Sequence, residues 1–206
     1  MMKRLSVLAL ASIALIASSA SADVSAGIEI VDYASVGGSG SLGSTQYSVS
    51  LYLRQSRSVG LAQTGTTVTP TNQNQALTIQ GSLFICDYSD FDPCTSSGIP
   101  SQPAVGGAIE PLGNAVTFSG FVSTTSMGVV PLSLDARRPT FTSVNPPTGQ
   151  IPNVWVDGTT VHADATAWES INRSGYATSV TMNAVPMTYG NTQYGTYLNP
   201  STTVQN

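Results

Sequence analysis

Residues 76–94 read ALTIQGSLFICDYSDFDPC. Leu77, Ile79, Leu83 and Ile85 all fall at odd positions. Successive side chains of a strand point to opposite faces, so this spacing collects the four on one side and predicts a buried strand. Gly81 interrupts the apolar face and predicts a bulge or a close backbone approach. Phe84 is apolar on the other face, which predicts burial on both sides near the strand's end. Cys86 and Cys94, the only cysteines, then bracket a short acidic loop. In an exported chain two cysteines are most simply one disulfide. A bridge closing so short a loop contributes at most about 3 kcal/mol, and its main effect is to fix the loop's shape.

The loop carries Asp87, Asp90 and Asp92. Three carboxylates this close repel unless a cation or backbone donors satisfy them. Calcium takes several oxygen ligands, and a pinned loop can offer three, although the spacing D-x-x-D-x-D departs from the EF-hand pattern. The alternative is a solvated turn in which aspartates accept hydrogen bonds from nearby backbone N–H groups and Pro93 sets the exit.

The same alternation recurs along the chain. Val24, Ala26, Ile28 and Ile30 alternate with polar or small residues and predict a first strand. Tyr47, Val49, Leu51 and Leu53 alternate with Ser48, Ser50, Tyr52 and Arg54, a half-buried strand. Residues 37–44, GGSGSLGS, read as a flexible loop. Residues 59–63 and 66–69 suggest one hairpin followed by a polar turn over 71–75. Residues 95–114 read as a long irregular stretch. Residues 115–122 and 129–134 read as strands, with Pro131 pushing the second toward a sheet edge. Asp157-Gly158 between two alternating runs predicts a two-residue hairpin turn, in which Trp155 faces Thr160 and Asn153 faces His162. Residues 176–189 are the last long strand candidate, and 190–206 form a tyrosine- and asparagine-rich tail with little to bury.

Helical periodicity is confined to the start. Lys3 and Arg4, an apolar run over residues 5–17 and Ala20-Ser21-Ala22 make a secretory signal peptide over residues 1–22. Its helix is cleaved before Asp23, and no later stretch is apolar enough to span a bilayer as a helix. Many short strands punctuated by glycine and proline predict an all-β, antiparallel β-sandwich, with a jelly-roll or barrel variant next. The single domain is expected over residues 23–198, with a flexible tail over 199–206. The address is outside the cytoplasm, extracellular or periplasmic, in a bacterium.

Residues 23–206 hold five arginines, no lysine and eleven acidic side chains, a net charge of −6. That balance argues against a broad grip on nucleic acid or anionic lipid. The surface is solubilised by Ser, Thr, Asn, Gln and Gly, which leaves strand edges poorly protected against pairing.

The chemistry is sparse. His162 is the only histidine, and with Asp164 two positions away it shares a strand face, yet no G-x-S-x-G elbow accompanies it. Trp155, His162, Asp164 and Trp168 instead suggest a face that stacks on sugar rings, as a carbohydrate-binding module or a glycoside hydrolase. The leading expectation is non-enzymatic: a structural or adhesive subunit whose residues 23–33 or 188–198 add a strand to a neighbouring copy. The expected partners are thus the chain itself or a surface glycan, with no cofactor unless calcium fills the acidic loop.

Overall fold

The structure, a computed structural model, describes residues 23–64, 67–90, 94–138, 153–157, 160–164 and 172–205; the signal segment 1–22 lies outside them. In chain order the strands are β1 (Asp23–Leu42), β2 (Thr45–Thr64), β3 (Thr67–Asn74), β4 (Thr78–Asp87), β5 (Cys94–Pro103), β6 (Ala108–Ile109) and β7 (Ala115–Ser123). Then follow β8 (Val129–Arg137), β9 (Asn153–Asp157), β10 (Thr160–Asp164), β11 (Asn172–Arg173), β12 (Ala177–Met182), β13 (Val185–Pro186) and β14 (Tyr189–Gln205). The larger sheet runs β11-β14-β1-β2-β4-β5, and the smaller runs β13-β12-β8-β7-β6. A separate hairpin, β9 with β10, lies against β1 and β2. All pairings are antiparallel. The strand β2 serves two partners in turn: residues 45–54 pair with β4, and 57–64 pair with β3.

Alternation explains the core. Val36, Leu51, Leu53, Ile79 and Leu83 from the larger sheet share one buried cluster with Val116, Phe118, Leu132, Leu134 and Val180 from the smaller. Burying a side chain of this size stabilises by about 1.5–3 kcal/mol relative to leaving it in water, and this shared interior holds the two sheets together. As read from its spacing, Gly81 sits at a register shift between β4 and β5. Phe84 departs from expectation. It is 44 % exposed, because nothing among the described residues covers the face of β4 that carries Gln80, Ser82 and Phe84.

Three glycine- or polar-rich segments read as irregular are strand. Residues 37–42 complete β1, and only Gly43 and Ser44 turn. The glycines there serve close approach: a Cβ on Gly38 would meet Val180 and Met187 at 3.2 Å, and one on Gly40 would meet the Pro186 carbonyl at 2.8 Å. The polar turn at 71–75 is largely β3, an edge strand in which Pro70 is tolerated. Of the irregular stretch after Cys94, residues 95–103 belong to β5, whose exposed edge is closed by its own chain. The Gln102 amide accepts from Ser123 N and donates to Ser123 O, both at 3.0 Å, and Thr125 N donates to Gly98 O at 2.9 Å.

Pro131 lies in β8, which sits between β7 and β12 and is not an edge strand. The last β12–β8 pair is Met182 with Leu132, so Pro131 stands one step beyond, where no donor is needed, and its carbonyl accepts from Asn183 N at 2.9 Å. The supposed tail is β14, a strand of 17 residues running to Gln205, well past residue 198. It pairs with β1 from Ser39–Tyr189 to Asp23–Gln205, and β2 takes the other side of β1. Residues 23–33 and 188–198 are therefore both paired within their own chain. Counting apolar residues misses such a strand because what it buries is Thr192, Tyr194 and Thr196.

Candidate functional site

The disulfide forms as expected. Cys86 and Cys94 are directly opposed in the β4–β5 ladder with Cα atoms 4.0 Å apart. Asp87 ends β4 and is already satisfied by neighbours: its Oδ1 accepts from Ser89 Oγ at 2.7 Å, Ser89 N at 3.0 Å and Ser44 Oγ at 3.1 Å. These donors, the Ser89 hydroxyl foremost, hold its carboxyl below the usual carboxylate range. Asp90 continues the turn, its N–H donating to Asp87 O at 3.1 Å. Asp92 lies outside the described residues. No group of three or more His, Cys, Asp or Glu among the described residues could hold a metal ion.

In the β9–β10 ladder Asp157 pairs with Thr160, Val156 with Val161, Trp155 with His162 and Asn153 with Asp164. The ladder thus closes at Asp157–Thr160, one position later than the Asp-Gly reading. The slip is one residue in each strand, so the alternation is unchanged: Asn153, Trp155, His162 and Asp164 stay in one set. Trp168 lies outside the described residues.

A different cluster stands on the outer face of the larger sheet. Tyr33 and Tyr52, on neighbouring strands, have ring centroids 6.0 Å apart and planes within 23°. Tyr197 lies 6.0 Å from Tyr33 at 47°. Arg54 is held between the Tyr197 hydroxyl and Glu29, whose carboxylate is 3.1 Å away. The hydrogen bond to Tyr197 is the main reason the guanidinium holds its proton above the ordinary arginine range. Partial burial, then the neighbouring Tyr197 and Tyr33, push the Tyr52 hydroxyl up. Tyr33 donates to Asn172 Oδ1 at 3.3 Å. Its ring lies directly over Gly195, where an added Cβ would strike the ring and hydroxyl.

Sequence reasoning put Tyr52 and Arg54 on the polar face of β2, which is where they are. It did not bring in Tyr33, Tyr197 or Asn172, because no local pattern announces a ring laid across a glycine far along the chain. The alternation of β1, which sets Tyr33 opposite in face to Ile28 and Ile30, is the signal that was available.

Beneath this face, Tyr194 donates to Asp32 Oδ1 at 2.6 Å, and Tyr176 donates to the Gly113 carbonyl. Burial, then Asp32, push the Tyr194 hydroxyl far above the ordinary tyrosine range. Among the described residues no helix is long and apolar enough to cross a membrane. No protein-family model, curated protein or solved structure matches the chain.

Proposed function

We propose that this protein is an exported, non-enzymatic structural or adhesive subunit, a β-sandwich that associates with further copies of itself through the edges of its larger sheet. Residues 1–22 direct export on this reading, and the Cys86–Cys94 bridge suits an oxidising compartment. The observation that carries the proposal is an asymmetry of edges. The β5 edge is closed by Gln102 and Thr125. The opposite edge is not: among the described residues β11 pairs with β14 only at Tyr194 and Gly195, and no strand follows along Tyr197–Gln205. Neither that stretch nor β3 carries a charged side chain. Charge is the usual protection of an exposed edge, and here only Pro70 and Pro200 interrupt the row of donors.

Sedimentation velocity of the purified chain over a range of concentrations tests this. The expected result is a mass that rises with concentration and falls back toward the monomer in Thr203→Lys, which sets a charge on the open edge. A wild-type monomer at every concentration overturns it.

The second reading, a saccharide face on the β9–β10 hairpin, is favoured by the register that places Trp155 opposite His162 with Asp164 in the same alternating set.

A further inference from the structure

Four residues on neighbouring strands of the larger sheet are directly opposed and share its outer face: Gln193 on β14, Ser35 on β1, Tyr52 on β2 and Gln80 on β4. Three strand spacings make this row about 14 Å long. Gln193, Ser35 and Gln80 are exposed, and Tyr52 is half-buried. Tyr33 extends the row sideways. Because Gly195 offers no Cβ, the Tyr33 ring lies down over β14 and does not stand away from the sheet. Tyr52 stacks with it, ring centroids 6.0 Å apart and planes within 23°, and the half-buried pair forms one aromatic platform. A depression of about 280 Å³ lies on one side, against Tyr33, Asn172 and Gln193. Another of about 360 Å³ lies on the other, against Tyr52, Gln80, Ser50 and Ser82.

We propose that this platform is a binding site for an uncharged oligosaccharide, laid across the strands along the row from Gln193 to Gln80. The apolar C–H faces of sugar rings stack on Tyr33 and Tyr52, and amides and hydroxyls at both ends receive the sugar hydroxyls. Charge selects against other ligands. Arg54 and Glu29 satisfy each other at 3.1 Å, and the Arg173 guanidinium is turned to Asn114 Oδ1 at 3.4 Å, so the bed offers no uncommitted cation to an anionic ligand. An apolar peptide would have to desolvate the serines and amides that line both depressions, leaving them without partners. The site lies on the sheet face and is independent of edge association.

Isothermal titration calorimetry of the full chain with cellohexaose, laminarihexaose and chitohexaose as probes tests the proposal. At least one is expected to bind. Tyr52→Ala and Tyr33→Ala should each weaken that binding about tenfold or more, whereas Tyr52→Phe should stay within about threefold of the parent. Phe121→Ala, on the smaller sheet, should change nothing. Thermal melts check that each variant keeps its fold, and the Tyr52→Phe comparison keeps the test valid should one alanine variant be unstable. The proposal is overturned if none of the three binds at about 5 mM. It is also overturned if binding survives both alanine variants, or if it is lost in Trp155→Ala but not in Tyr52→Ala, which would move the sugar to the hairpin. Binding of a proline-rich decapeptide that depends on Tyr52, with no saccharide binding, would overturn it as well.

Discussion

Tyr194 shows how much one side chain holds here. Its ring fills the space beside Gly113, where an added Cβ would strike it, and it is 2 % exposed. Its hydroxyl is the donor to Asp32 at 2.6 Å. Removing a hydrogen bond to a charged group costs about 1.5–3 kcal/mol, so Tyr194→Phe should lower the unfolding free energy by that much, read as a lower urea midpoint at an unchanged slope. The same residue sets an alkaline limit. Folded Tyr194 keeps its proton where an unfolded tyrosine, near pH 10, releases it. The folded state then binds more protons than the unfolded one, so this contribution is intact below about pH 10 and stability falls as pH rises beyond it. The alkaline unfolding midpoint of Tyr194→Phe should therefore show a shallower pH dependence than the parent's. Equal dependence would mean that another group sets the limit.

At the scale of the element, alternation was legible and glycine was not. The spacing of Leu77, Ile79 and Leu83 located β4, and the spacing of Val49, Leu51 and Leu53 located the first half of β2. By contrast, GGSGSL in residues 37–42 reads as a loop by composition and is the end of β1. A glycine chosen for flexibility and one chosen so that another backbone can come near look alike in sequence. The structure separates them. A Cβ on Gly37 would meet nothing within 4 Å, whereas one on Gly40 would sit 2.8 Å from Pro186 O and 2.9 Å from Met187 Cα. Gly37→Ala is thus expected to leave stability unchanged or raise it by about 0.5 kcal/mol through the unfolded chain. Gly40→Ala is expected to lose about 1–3 kcal/mol, because backbone must shift to admit the methyl group. Chemical denaturation of the pair decides it, and equal midpoints would mean that β13 yields freely. The tyrosine platform follows the same rule. Tyr52 was readable from its own strand, but the bed for Tyr33 exists only because Gly195 arrives from β14.

At the scale of the whole molecule, the pairing of the first strand with the last is the feature that no local pattern could reveal. Contacts that join distant parts of the chain require a large loop to close before they contribute, and they leave no short-range periodicity to read. Residues 199–205 illustrate the difference. By composition they are a tail, and in the structure they pair one for one with β1, from Glu29–Asn199 to Asp23–Gln205. Cross-strand pairs are worth about 0.2–1 kcal/mol each, so deleting residues 199–206, with their seven pairs, should cost about 1–7 kcal/mol. The loss should be local before it is global. Ile28, fully buried in the intact chain, lies opposite Pro200. Amides of β1 before Ile30 should exchange with solvent faster in the truncated chain, while those of β4 and β8 keep their protection until global unfolding. The truncation also strips β1 of its neighbour over the same residues, so the uncharged edge of β14 is replaced by a stretch that carries Asp23 and Glu29. If the uncharged edge of β14 drives self-association, the truncated chain should associate more weakly than the parent at equal concentration. A truncated chain with the parent's urea midpoint and the parent's exchange pattern would show that β14 beyond Leu198 contributes nothing to the fold.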